Sequence, residues 1–429
     1  SYLTDSGTVI RNVLDPDMAF PFFGGNTGRL EEVDWEGNIQ WSFEYSTDKA
    51  LSHHDLALLP NGNILIIALE VKSAPECLAI GRKPGFTPTS GLWADMILEV
   101  KPTKPRGGEI VWEWHYWDHL IQDYNAELPN YGNPAGHPEL IDINASAEKV
   151  EAMNPDTLAL KKRTGKSNHY ATIDNQFSDL CHTNAVYYNE SLDQIAISIY
   201  KLGEIFILDH STTPSEARSH HGGKYGKGGD ILYRWGNPQN YHMGDSTDRK
   251  LFHQHDIRWI ASGDPGAGHL LVYNNDLPMG PDSLHYSSIY ELEPPVDAQG
   301  NYHKAINQPY GPESPIWTYT ADDTISFYSS FISGAHRLQN GNTFITAGAA
   351  GRMFEVTPTG KIVWEYWTPH RGTISNTNGN QRSGGSHPYL VFRATMISAD
   401  HPGIKGKTMT ALDPQPDIFQ VPKKQESTD

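Results

Sequence analysis

Cysteine is nearly absent from this chain. Cys77 and Cys181 are the only two in 429 residues, so neither a disulfide framework nor a cysteine-based zinc site can be built. The pair either bridges or stays as two buried thiols, and their separation in sequence does not decide between these. Long apolar runs are missing as well. The longest, around Ile64–Leu69, falls far short of the ~20 residues a membrane-spanning helix needs. Positive charge is scarce: 33 Lys+Arg stand against 51 Asp+Glu, a formal net charge of -18. That balance excludes the basic face a phosphate backbone requires, and with it a nucleic-acid partner. The one Gly/Lys-rich stretch, Gly222–Gly229, lacks the order of a phosphate loop and reads as a connecting loop.

What is present in quantity points to a folded, turn-rich protein. The 21 Tyr, 14 Phe and 11 Trp supply ample core material, which excludes wholesale disorder. The 39 Gly and 29 Pro imply many short elements joined by turns, hence an all-β fold. Low cysteine and strong acidity suit a periplasmic or secreted protein. The chain opens on Ser1 with no hydrophobic leader visible, so either a targeting peptide has been removed or the numbering begins inside a longer product.

Internal repetition carries the architecture. Gly37-Asn-Ile39-Gln-Trp41 recurs as Gly108-Glu-Ile110-Val-Trp112, Gly229-Asp-Ile231-Leu-Tyr233 and Gly360-Lys-Ile362-Val-Trp364, with a degenerate copy at Pro315-Ile316-Trp317. A period of two puts the Ile and the aromatic on one face of a strand. A second strand precedes most copies: Leu30–Val33, Ile97–Val100, Ile205–Leu208, Ile289–Leu292 and Phe354–Val356. Upstream again, Asn61-Gly62 and Asn340-Gly341 sit between apolar strands as hairpin turns, both central residues being expected at positive φ. Four antiparallel strands per unit make the blade of a β-propeller. Blades map near 1–46, 53–117, 181–236, 254–319 and 333–367. A sixth would contain His387–Met396, with Gly7–Val13 and Phe20–Phe23 helping to close the ring. The expectation is a single propeller domain over residues 1–429 with six four-stranded blades, five or seven being compatible with the pattern. The long insertion at 118–180, with helical composition at Ala145–Met153 and a basic run at Lys161–Arg163, would cap one face.

Histidines fall at matching points of this repeat. His53-His54 opens the first strand of one blade, His182 that of the next, His253-Gln254-His255 the third and His336 the fourth. First strands line a propeller's channel, so these rings are expected to converge on one axis. Imidazole there can be nucleophile, general base or metal ligand. His253-x-His255 would place two rings on one strand face and is the candidate for a metal, with calcium or copper as the divalent ion. His115 and His119 are four apart, suited either to a helical turn or to aromatic packing.

These residues resemble the arylsulfotransferase family of β-propellers. The phrases that carry the resemblance are His53-His-Asp-Leu56, Leu59-Pro-Asn-Gly-Asn63, Trp112-Glu-Trp-His-Tyr-Trp-Asp-His119, Asp179-x-x-His182-x-Asn184, Tyr233-Arg-Trp-Gly-Asn-Pro238, Gln254-His-Asp256, Gly351-Arg-Met-Phe-Glu-Val356 and Val391-Phe-Arg-Ala394. The resemblance implies transfer of a sulfuryl group between phenolic compounds, with no nucleotide donor and no cofactor. It implies His255 as the transiently sulfated nucleophile, His182 and Asn184 as sulfate holders, and His54 as the remaining channel histidine. Where the family carries an arginine on the strand after His182, this chain has Tyr200 followed by Lys201. That exchange removes a charge-assisted contact from an anion site. Two alternatives stand beside sulfotransfer. One is a polysaccharide lyase using His182 and Tyr200, with Arg258 or Arg337 neutralising a uronate carboxylate. The other is a non-catalytic, metal-loaded binding or assembly module. The expected partner is a small phenolic or sulfated substrate, and a homo-oligomer is compatible with the chain.

Overall fold

The computed structural model describes residues 1–410 except 16, 22, 148, 151–176, 281–283, 371–372, 376–380 and 384–388; for 373–375 and 381–383 it describes the backbone only. The described residues form five four-stranded antiparallel sheets, each a simple meander. The first runs Tyr2–Leu3, Val9–Leu14, Gly28–Val33 and Ile39–Glu44. The second runs Ala50–Leu58, Ile64–Lys72, Leu92–Pro102 and Gly108–His115. Thr183–Asn189, Gln194–Ile199, Glu204–Asp209 and Tyr233–Trp235 make the third, and His255–Trp259, Leu270–Pro278, His285–Leu292 and Trp317–Tyr319 the fourth. The fifth comprises Gly334–Arg337, Thr343–Ala347, Arg352–Val356 and Ile362–Trp367. The fold is a β-propeller, and these blades coincide with the repeat units read from the sequence.

Among the described residues the blades number five, where six were expected. The N-terminal strands do not complete a sixth blade; Tyr2–Leu3 and Val9–Leu14 are the two inner strands that the first repeat copy otherwise lacks. Of the stretch expected as the sixth blade, His387 and Pro388 lie outside the described residues, and Tyr389–Met396 forms no strand. It instead runs irregularly along the fifth blade. Ser333 N donates to Phe392 O, Val391 N to Gly348 O, and Met396 N to His336 Nε2. Further on, Lys407 Nζ lies 5.0 Å from the ring of Trp35 in the first blade.

The repeated aromatic has a specific job. Trp41 Nε1 donates to Gly107 O at 2.8 Å, Trp112 Nε1 to Thr212 Oγ1 at 3.0 Å, Tyr233 Oη to Gly311 O at 2.8 Å and Trp317 Nε1 to Pro358 O at 2.8 Å. Each ring buries its apolar body between blades and spends its one donor on the following blade, as a buried indole or phenol must. Trp364, at the same position of the last copy, is 40% exposed; among the described residues no further blade follows it. The repeated Ile sits toward the open end of the outer strand and is exposed at Ile39, Ile110 and Ile362, whereas Ile231, ahead of its strand, is buried. The core lies in the layers between blades: Ile67, Ile97 and Trp114 pack with Val186, Ile197 and Phe206 between the second and third. Tyr233, Trp235 and Val272 do the same between the third and fourth.

The Asn-Gly turns form hairpins, but only their glycines take positive φ, +85° at both Gly62 and Gly341. Gly62 N bonds Leu59 O and Leu59 N bonds Asn63 O, so the turn is a tight one closed by a left-handed glycine. Asn61 contributes its side chain, whose Oδ1 accepts from Asn63 N at 2.9 Å.

Cys77 and Cys181 are separate buried thiols within one core layer. In the insertion, Ala145–Ala147 forms a turn rather than a helix, and Lys161–Arg163 lies outside the described residues. Leu120–Ile121 pairs in parallel with Ile141–Asp142, fastening the described part of the insertion beside the second blade. No described helix is long and apolar enough to cross a membrane.

Candidate active site

Three inner strands open with a break in register: between His53 and Leu56, between Thr183 and Ala185, and between His255 and Arg258. Such irregularities re-aim side chains at the end of a strand. His54, His182 and His253 adopt left-handed φ of +55°, +53° and +55°, a conformation costly for a residue with a β-carbon. Gly25, itself at φ +88°, lies so close to the His54 ring that no β-carbon would fit there.

The result is one cluster of rings. His54 and His182 meet edge to face with centroids 4.6 Å apart. Tyr200 lies 5.1 Å from His182, stacks on His253 at 4.5 Å and meets His255 edge to face at 5.8 Å. Phe23 closes one wall, 6.0 Å from His182 and 6.4 Å from His54, and Phe392 another, 6.4 Å from His54. His255 is 4% exposed, whereas the side chain of His253 is 42% exposed. The cluster therefore opens past His253 and Tyr200 and deepens toward His255.

The tautomer of His255 follows from its neighbours. Its Nδ1 lies 2.9 Å from both His253 O and Asn275 Oδ1. The amide of Asn275 donates its other end to Ser329 O and Ile332 O, which fixes Oδ1 as the acceptor. Both neighbours accept, so Nδ1 carries the hydrogen and Nε2 the lone pair. Ile332 N donates to that lone pair at 3.2 Å. Burial pushes the imidazole pKa down to about 3 against the help of Asn275 and the His253 carbonyl, so the ring is neutral. Burial also drives His54 well below its ordinary value, with repulsion from His182, His53 and His255 adding to the effect. Burial raises Tyr200 and keeps it a phenol, a hydrogen-bond donor rather than an anion.

Two carboxylates hold rings from behind. His182 Nδ1 lies 2.6 Å from Asp179 Oδ2, and His253 Nδ1 lies 2.9 Å from Asp276 Oδ2. Burial would raise Asp276, but hydrogen bonds from His253 and Tyr328 outweigh it and keep the carboxyl ionised. His53 Nδ1 is 2.7 Å from His54 Nδ1, which orients the second ring through the first.

The other candidates are placed elsewhere or used otherwise. Asn184 is buried and spends its amide on Gln254 O at 2.7 Å, joining two blades. His336 takes a hydrogen bond from Met396 N and packs on Phe344, apart from the cluster. Arg258 is held by Asp256 at 2.8 Å and Arg337 by Glu291. His253 precedes the strand that begins at His255, so the two rings do not share a strand face; Tyr200 stands between them. Lys201 faces away, lining a small cavity with Arg82 and Asp179.

Sequence reasoning quoted Asp179 within its motif without giving it a role, and missed Asn275, Asp276 and Ile332 as parts of this arrangement. A signal existed for two of them. Asn274-Asn275-Asp276 is a polar run inside the strand Leu270–Pro278, where a core strand should be apolar. Arg393 was also missed, though its motif was noticed. It bonds Asp55 through both terminal nitrogens, at 2.7 and 2.9 Å, and Asp256 at 2.8 Å, across the axis between the second and fourth blades.

The family profile described as Arylsulfotransferase (ASST) matches residues 19–368. No curated protein matches the chain significantly. Solved structures similar to it include a protein of unknown function from Bacteroides caccae, 11% identical over 80% of this chain and 78% of that one, TM-score 0.37. The β-propeller domain of Myceliophteria thermophila Cps50 (Swd1) is 13% identical over 86% and 89%, TM-score 0.34. Virginiamycin B lyase from Staphylococcus aureus is 11% identical over 84% and 74%, TM-score 0.32. At these scores the likenesses bear on neither the blade count nor the chemistry.

Proposed function

Since the chain belongs to the arylsulfotransferase family, we propose that it moves a sulfuryl group from an aryl sulfate to a phenol through Nε2 of His255. One observation carries the reading: a neutral imidazole, its tautomer fixed by Asn275 and the His253 carbonyl, keeps its lone pair on Nε2 beside the ring cluster of Tyr200, His182 and His54. In the first step Nε2 attacks sulfur, the N–S bond forms, and the S–O bond to the aryl group breaks with its electron pair leaving on the phenolate. His182, oriented by Asp179, gives that oxygen a proton and recovers one from the acceptor phenol as it attacks sulfur. The N–S bond then breaks and the pair returns to Nε2. The N–H of His54 and the Tyr200 hydroxyl supply hydrogen bonds to the sulfuryl oxygens, in place of the arginine that the family carries.

The mouth suits a phenol. His253, Tyr200 and the exposed Tyr328 offer ring faces, and Tyr328 Oη is tied to Asp276 Oδ1 at 2.8 Å. The first shift required of the protein is local, because Ile332 N must leave Nε2 for sulfur to approach. Ile332 and Ser333 already sit at φ +49° and +92°, which gives that backbone less to lose by moving. The lyase alternative has less support: Arg258 and Arg337, its charge-neutralising groups, are each paired with a carboxylate away from His182 and Tyr200.

The test uses 4-nitrophenyl sulfate with and without phenol. Phenol-dependent nitrophenolate release, with a sulfuryl adduct on the intact protein that is missing in His255→Ala, is the expected result. No release and no adduct in the unaltered protein would sink the reading.

A further inference from the structure

Away from the channel, His119, His220 and Asp230 bring three potential ligand atoms within 4.8 Å of one another. His119 follows the last strand of the second blade. His220 and Asp230 bracket the Gly/Lys-rich loop that leads to the last strand of the third. The Nδ1 atoms of both histidines lie 2.8 Å from the same oxygen, Asp230 Oδ1. The two rings stand nearly perpendicular, at 85° with centroids 5.9 Å apart, so they reach that point from different directions.

The second ring nitrogen of His119 is the informative atom. Nε2 lies 2.9 Å from Ala217 O, and a carbonyl can only accept, so Nε2 carries the hydrogen. In a neutral imidazole Nδ1 then holds a lone pair. That lone pair faces a carboxylate oxygen at hydrogen-bonding distance. Two acceptors approach so closely only with positive charge between them, either a second proton on the ring or a metal ion. A ring fixed by its far N–H on a backbone carbonyl is the usual arrangement of a metal-binding histidine. The glycine at 229 packs against the same ring with no room for a β-carbon, which holds the imidazole in place.

We propose that His119 Nδ1, His220 Nδ1 and Asp230 form a site for a divalent transition metal, with zinc the ion that two imidazoles and one carboxylate suit best. His119 is fully buried and the side chain of His220 is 57% exposed, so the ion enters from the His220 side and water completes a tetrahedron there. With metal–ligand distances near 2.1 Å, the ligand atoms would separate to about 3.4 Å, a modest opening from the present contacts. The site's role is to fasten the loop at 218–230 to the end of the second blade, beside the hydrogen bond from Trp114 Nε1 to Gly229 O.

Chelator-treated protein would be titrated with zinc chloride by calorimetry and with cobalt(II) by visible absorption, alongside melting curves. The expected result is one ion per chain, a tetrahedral cobalt spectrum and a raised melting temperature. His220→Ala, at the exposed end, should weaken zinc by more than the roughly 10–100-fold that loss of an outer-shell partner costs. His221→Ala and His253→Ala, next door and in the channel, should bind as the parent does. Absence of binding, or binding unchanged in His220→Ala, would overturn the proposal and leave His119 as an imidazolium paired with Asp230.

Discussion

Single side chains decide whether the channel can do chemistry. Asn275 is a positioning residue, since it touches only the far side of His255. Replacing it with alanine leaves the His253 carbonyl as the one acceptor holding the tautomer, and kcat should fall by about 10–100-fold with little change in KM, the split that steady-state kinetics resolves. Tyr200→Phe keeps the stack on His253 and removes only the hydroxyl. Turnover should drop by about 10–100-fold, with an unchanged melting curve, if that hydroxyl serves the transition state. The His255 pKa has a stability consequence with a definite sign. Folded at about 3 against 6.5 unfolded, the ring takes up its proton only when the chain unfolds. Stability therefore falls as pH drops from 6.5 toward 3. His255→Asn should flatten part of that acid loss in urea titrations. Although His336, at the matching place of the next blade, stands apart, the gathering of His54, His182 and His255 in one cluster was readable from their places in the repeat. Which nitrogen is free was not, because Asn275 and Ile332 reach His255 from 20 and 77 residues away.

Strands and turns were the most legible elements. Alternation and glycine placement fix them locally, so the sheets begin and end close to the expected points. The register breaks at His53, Thr183 and His255 were not foreseen, because a bulge is set by what the neighbouring blade offers, not by the strand's own pattern. Contacts between elements also create charge linkage. His210 joins Glu99 of the second blade at 3.0 Å and Asp193 of the third at 2.7 Å. Burial lowers its pKa, but the two carboxylates outweigh this and raise it to about 9. With a folded value above the unfolded one, this ring contributes stability fully below pH 6.5 and loses it as pH rises through 9. Urea midpoints measured at pH 6.5 and 9.5 should therefore fall more in the parent than in His210→Asn, by a few kcal/mol at most.

At the scale of the whole molecule, the blade number was where pattern counting overshot. Repeat copies announce outer strands, and the first copy's inner strands carry no such mark, so Gly7–Val13 was counted within the first unit at 1–46 and also toward closing the ring. The described residues after the fifth blade contribute no strand to the ring before Lys407, but they do contribute Arg393. Its guanidinium neutralises Asp55 and Asp256, both buried and each also accepting a backbone N–H from the following blade, Val186 N and Ala335 N. Arg393→Ala strands the buried carboxylate of Asp55, while Asp256 keeps Arg258, and should cost about 3–5 kcal/mol in equilibrium unfolding.

The bonds from each repeated ring to the next blade also have a direction in time. Trp41 waits 66 residues for the carbonyl of Gly107, and Trp317 waits 41 for that of Pro358. At about 5–20 residues per second on the ribosome, the first of these delays is roughly 3–13 s. Each of the first four blades thus leaves the ribosome with its repeated ring's donor unsatisfied and completes itself only when its successor has emerged. The nascent chain matures one blade behind its own synthesis, and Asp55 waits for its countercharge until residue 393 has been made, whereas Asp256 has Arg258 two residues on.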